Sequence, residues 1–159
     1  MNVFDLKFTG TTLIASIGAS IAAVATAGIG WPVWAMFIGW VAFFTGPQTP
    51  IGALRSYLCV AMGIAIGNIA ALGLSQILPS LGFYAFAPVV FIVAVLVLTL
   101  RAIPFANIIP AYFLGLIAFF AAHITPGLYS FIETALVCTL GGITALIVHT
   151  CQSQLNKAK

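Results

Sequence analysis

A bundle of about six membrane-crossing α-helices, all-α and integral to a bilayer, is the architecture these 159 residues imply. Three observations carry that expectation. The chain is 63% hydrophobic and only 4% charged, with a mean hydropathy of +1.23. A soluble domain carries about 25% charged residues, so this chain cannot cover a water-facing surface, whereas a lipid-facing one needs no charge. Next, the apolar residues fall into six runs near the length a spanning helix needs, about 20 residues. No length is left over for a soluble domain, and residues 1–159 read as one transmembrane domain. Finally, Phe37–Phe44 reads FIGWVAFF and Phe113–Phe120 reads FLGLIAFF, identical at five of eight positions and seventy-six residues apart. Each is followed at the same offset by a Thr-Pro pair, Thr49-Pro50 and Thr125-Pro126.

Each element has its own justification. The first, about Thr12–Ile29, is a run rich in Ala, Ser and Gly. Lys7 followed by small apolar residues and AxA-like triplets also fits a cleavable signal peptide; removing this helix would leave the first repeat one helix short, which favours retention. The second, about Trp31–Thr45, lies between Gly30-Trp31-Pro32 and Gly46-Pro47, residues that sit naturally at helix ends. The third, about Ser56–Ile77, stops at the turn Pro79–Gly82. The fourth, about Phe83–Leu100, stops before Arg101 and Pro104. The fifth covers Ile108–Ala122, and the sixth, about Phe131–Thr150, follows Pro126-Gly127. None alternates apolar and polar residues as a β-barrel strand would.

With six spans and the amino end inside, Lys7, Arg55, Arg101, Lys157 and Lys159 all face the cytoplasm. The outer turns near Pro32, Pro79–Gly82 and His123–Gly127 carry no cation, the asymmetry that sets orientation. Both termini are then cytoplasmic. Three spans per repeat is odd, so the halves, about 9–78 and 83–151, enter the membrane in opposite senses as a 3+3 inverted repeat. Such repeats hold their sites near the midplane, and paired short segments bounded by Gly and Pro point to them; here these are the second and fifth segments.

The candidate solute path follows from that register. Thr before Pro is an ordinary helix opening, Thr capping and Pro in the first position. The functional reading places the two turns on opposite membrane faces, with Thr45, Gln48, Thr49 and Thr125 as polar steps. Asn68 sits midway along the third segment and the repeat sets Thr144 opposite it; an interhelical hydrogen bond or a path-lining role are the two readings of Asn68. Gly63 and Gly67 form a GxxxG face that packs closely against a neighbour. Ser130-Phe131-Ile132-Glu133 fits a capping box, while Glu133 near His123 at the outer mouth could instead attract cations or relay protons. Phe43, Phe44, Phe119 and Phe120 close the two echo motifs, either as lipid and helix contacts or as an apolar constriction suited to neutral molecules.

At these motifs the chain resembles a family of small bacterial inner-membrane proteins, the YcdZ type, known as domain of unknown function number 1097. The resemblance rests on WPVWAMFIGWVAFFTG and IIPAYFLGLIAFFAAH and spans most of the chain. It implies a multi-pass inner-membrane protein and brings no substrate or catalytic residues with it.

Function classes narrow accordingly. Five scattered Lys and Arg make no nucleic-acid patch. Three irregularly spaced cysteines form no CxxC, and Cys59 and Cys138 in apolar runs behave as small hydrophobes. No HExxH, GxSxG, paired carboxylates or phosphate-binding loop is present, so neither enzyme activity, metal nor cofactor is expected. The leading expectation is a channel or facilitative transporter for a small uncharged solute, working as a homo-oligomer. The alternative is an accessory or scaffold protein docking through the small residues Gly18, Ala19, Ala22 and Ala23 of the first helix.

Overall fold

The computed structural model describes residues 6–157, and every described regular element is helical. Six α-helices follow one another: α1 (Leu6–Gly28), α2 (Val33–Phe43), α3 (Pro50–Leu81), α4 (Phe86–Thr99), α5 (Ile109–Ala121) and α6 (Leu128–Lys157), with 3₁₀ turns at Gly82–Ala85 and Leu100–Ala102. Their order is that expected from sequence, but their lengths are not. Helix α3 starts six residues earlier than the apolar run and continues through Pro79 to Leu81. Helix α6 runs on to Lys157. Apolar content marks what can lie in lipid, and helical hydrogen bonding continues past it wherever no residue forbids it. Pro79 does not stop α3; reversal comes at Gly82, whose φ of 56° suits a residue without Cβ.

Among the described residues, three helical stretches, α1, the run Pro50–Ala102 that bends back at Gly82, and α6, are long and apolar enough to cross a membrane. The exposed surface of α1 and α4 is correspondingly apolar, with Leu13, Ile17 and Ile21 on one and Phe91, Ile92 and Val95 on the other. This is a membrane protein. Helices α2 and α5 are different: at 1.5 Å per residue, their 11 and 13 residues reach only about 16 and 20 Å.

Contacts fix the helix directions. Helices α2 and α6 run the same way, since Cys138 donates its S–H to the Ala35 carbonyl (3.4 Å) and, further along both, the Phe43 and His149 rings lie 5.6 Å apart. Helices α3 and α5 also run together, Arg55 meeting Phe105 and Asn107 and Gly67 meeting Phe119. Helix α1 runs against α6, pairing Gly10 with Leu155 and Gly18 with Val148, and Gln152 donates to the Thr11 carbonyl (2.8 Å). The small-residue face of α1 is therefore occupied inside the molecule: Gly18 packs on Val148 and Ala22 is buried. Lys7, Arg55, Arg101 and Lys157 all fall at one end of the bundle, and Trp31, Trp34, His123 and Glu133 at the other. Lys159 and Asp5 lie outside the described residues.

Candidate functional site

The interior is organised around four glycines. A Cβ on Gly39 would lie 1.9 Å from the Cys138 carbonyl oxygen, and one on Gly141 would lie 1.8 Å from that of Met36. On the other pair of helices, a Cβ on Gly115 would lie 2.1 Å from the Val60 carbonyl and one on Gly63 would lie 2.2 Å from that of Tyr112. Only glycine lets backbones approach this closely, so α2 crosses α6, and α5 crosses α3, main chain against main chain. The GxxxG face of α3 is used as expected, with the Phe119 ring 3.1–3.3 Å from where a Gly67 Cβ would sit.

The echo phenylalanines do not line an open lumen. Phe43 and Phe119 are buried in the core, at 1% and 2% exposure, while Phe44 and Phe120 point outward. Each adjacent pair is edge-to-face, 5.0 and 5.4 Å between centroids.

The predicted polar steps fall into two groups at opposite ends. At the cation end, Thr45 donates its hydroxyl to the Ala42 carbonyl (2.7 Å) and Thr49 caps α3, accepting from the Gly52 N–H (3.0 Å); Gln48 is exposed. At the other end, His123 is exposed with φ at 50° and Thr125 is exposed. Glu133 is half-buried and borders a cavity of about 140 Å³ with Pro32, Trp34, Ala122 and Ile124. Among the described residues no ion pair joins Glu133 to His123. Asn68 reaches this group, its side-chain N–H donating to the Gly127 carbonyl (2.8 Å). Thr144 stands apart on α6, donating to Leu140 one turn back (2.7 Å).

Two local expectations are corrected. Thr125 does not cap α6, which begins at Leu128; instead its carbonyl accepts from the Ser130 hydroxyl (2.6 Å). Ser130 is thus inside the helix and cannot be the cap of a box closed by Glu133. The helix opens after Gly127, two residues later than the Thr-Pro echo implies.

A family model for proteins of unknown function, DUF1097, matches residues 12–154. The chain belongs to the DUF1097 family. No curated protein and no solved structure matches it. The family thus fixes kinship and leaves chemistry to the residues of this DUF1097 chain.

Two residues matter that sequence reasoning passed over. Arg55, read there only as an inside charge, donates to the Phe105 carbonyl (3.0 Å), to the Pro104 carbonyl and to the Asn107 side-chain oxygen (2.9 Å). It also covers the Phe105 ring at 5.5 Å. Three acceptors on one planar fork pin the α4–α5 loop to α3, which a lysine could not do. Ser56 is 1% exposed and its hydroxyl has no partner. A hydroxyl at the head of a long apolar run was its one sequence signal.

Proposed function

We propose that this protein is a facilitator through which a small uncharged solute crosses a bacterial inner membrane. In this reading it is a 3+3 inverted repeat of six spans, with both termini cytoplasmic. One observation carries the reading: the glycine crossings occur as two matching sets. Met36 and Gly39 of α2 correspond to Tyr112 and Gly115 of α5 at the seventy-six-residue spacing of the echo. Val60 and Gly63 of α3 correspond to Cys138 and Gly141 of α6 at seventy-eight. Every carbonyl–glycine contact in one set has its counterpart in the other. Buried Phe43 matches buried Phe119, and outward Phe44 matches outward Phe120. Helices that swap partners in this way, with alternating direction, are related by an axis lying in the membrane plane, as in transporters with inverted repeats.

Selectivity for a neutral solute follows from the lining. The candidate path runs from Thr45, Gln48 and Thr49 past Phe43 and Phe119 to Asn68, Thr125 and the Glu133 mouth, with Thr144 beside it on α6. Between Phe43, whose ring meets that of His149 at the cation end, and Glu133 the named lining residues include no carboxylate, imidazole or amine, and an ion there would lose hydration without compensation. On this reading the buried Phe43 and Phe119 close the path, and passage requires one repeat to rock against the other. Neighbouring copies would cover the apolar faces of α1 and α4 and complete the lipid boundary, making the working unit a homo-oligomer.

The same closed core favours a second reading, an accessory protein with no path. Of the small residues that would dock in that reading, Gly18 packs on Val148 and Ala22 is buried within the molecule, so docking would fall to the exposed side of α1. Flux into proteoliposomes decides between them, measured for water, ammonia, urea, glycerol and short-chain acids. Acceleration of one solute over protein-free vesicles, raised further by Phe43→Ala, is expected. Equal rates with and without protein for all of them would leave the accessory reading.

A further inference from the structure

Arg55 and Glu133 hold the same place in two helices. Each is the sixth residue of its helix, α3 from Pro50 and α6 from Leu128. The seventy-eight residues between them are also the spacing of Gly63 from Gly141. Arg55 fills its surroundings with charge: the guanidinium donates to the Pro104 and Phe105 carbonyls and to the Asn107 side chain, and it covers the Phe105 ring. The link before α5 is thereby fastened to α3. In the other half the same place carries an anion, and a cavity lies beside it. Glu133 borders that cavity, of about 140 Å³, together with Pro32 and Trp34 at the start of α2 and Ala121 and Ala122 at the end of α5.

The walls set what fits. A single water needs about 10–15 Å³, so the cavity has room for a small organic molecule. Among the described residues Glu133 has no hydrogen-bond or ion-pair partner, and its oxygens, unlike the Ser56 hydroxyl, are not sealed from solvent. A half-buried carboxylate without a partner bears a desolvation cost that a paired cation relieves. The helix ends do not decide the sign, because α5 brings its negative terminus and α2 its positive one, and the two offset. The carboxylate therefore favours a cation. Trp34, 38% exposed, adds an aromatic wall, and indole is the best partner for an organic cation.

We propose that this cavity binds a small organic cation carrying N–H donors, a guanidinium or a primary ammonium, with Glu133 as counter-ion and Trp34 as aromatic wall. The bound ion joins α6 to the start of α2, as Arg55 joins α3 to the link before α5. It binds as a ligand rather than as cargo, whether or not a solute crosses.

Calorimetric titration of the full chain in nanodiscs of zwitterionic lipid tests this. Guanidinium and methylammonium are the probes; sodium and tetramethylammonium, which has no N–H, are the controls at matched ionic strength. Saturable binding of one probe ion per chain is expected, with both controls clearly weaker. Glu133→Gln keeps the shape and removes the charge, and should weaken binding about tenfold or more, as loss of a charged hydrogen bond does. Trp34→Ala should weaken it about two- to fivefold, the range of a cation–π contact near the surface. No saturable binding of either probe to the unmodified protein overturns the proposal, and that result needs no variant to fold. So does a Glu133→Gln protein that binds as tightly as the unmodified one, or a control ion that binds as tightly as the probes.

Discussion

Asn68 shows how a polar side chain is accommodated in an apolar chain. Lipid offers its carboxamide no partner, so the fold brings the Gly127 carbonyl to it from fifty-nine residues away. Interhelical bonds of this kind are worth about 0.6 kcal/mol on average and up to about 1.7. Asn68→Ala is expected to destabilise the protein within that range, and reversible unfolding in mixed micelles would measure it. A cost near zero would mean that Gly127 finds another donor. The bond itself was foreseeable, since Asn at that depth must have a partner. Which partner was not, because an acceptor on the α5–α6 link has no sequence mark; every residue there offers a carbonyl.

Among helices, close packing rests on the glycines rather than on side-chain interdigitation. Gly39→Ala and Gly141→Ala each drive a methyl into a carbonyl of the facing backbone, and Gly63→Ala and Gly115→Ala do the same across α3 and α5. Overpacking commonly costs about 1–3 kcal/mol, and backbone cannot turn aside as a side chain can. All four variants are expected to lose at least that much. Gly73→Ala, on α3 with nothing within 4 Å of the added carbon, should be neutral or stabilising by up to about 1 kcal/mol from helix propensity. Thermal unfolding of the five side by side checks the ranking. Severity should pair Gly39 with Gly115, and Gly63 with Gly141, if the two halves are built alike. The echo FIGW and FLGL already displayed Gly39 and Gly115, and the GxxxG pattern displayed Gly63. Gly141 carried no such flag, because it lies seventy-eight residues after Gly63 rather than at the seventy-six of the echo. In the α5–α6 link the Ser130 hydroxyl holds the Thr125 carbonyl inside the turn, and α6 begins only at Leu128.

For the whole molecule, the four described cations gather at one end while the tryptophans Trp31 and Trp34 and the lone described carboxylate Glu133 gather at the other. A membrane potential and the translocation machinery read such an asymmetry as orientation. A fluorescent protein fused after Lys159 is expected to be bright and a phosphatase fused there inactive, with the same result at the amino end. Phosphatase activity at the carboxyl end alone would remove the even number of crossings and, with it, the inverted relation between halves.

Composition alone determined that the chain lives in a bilayer as helices, since so few charges cannot clothe a water-soluble surface. Punctuation by Gly and Pro determined the number and order of those helices, and the spread of Lys and Arg determined which ends lie together. Tertiary structure decided which helix crosses which, that Phe43 and Phe119 are buried in the core while Phe44 and Phe120 face outward, and that, among the buried side chains of the described residues, the Ser56 hydroxyl has no partner. Those outcomes depend on approaches of a few ångströms between segments far apart in the chain. An apolar sequence permits many such pairings, and only the geometry of backbone against glycine selects among them.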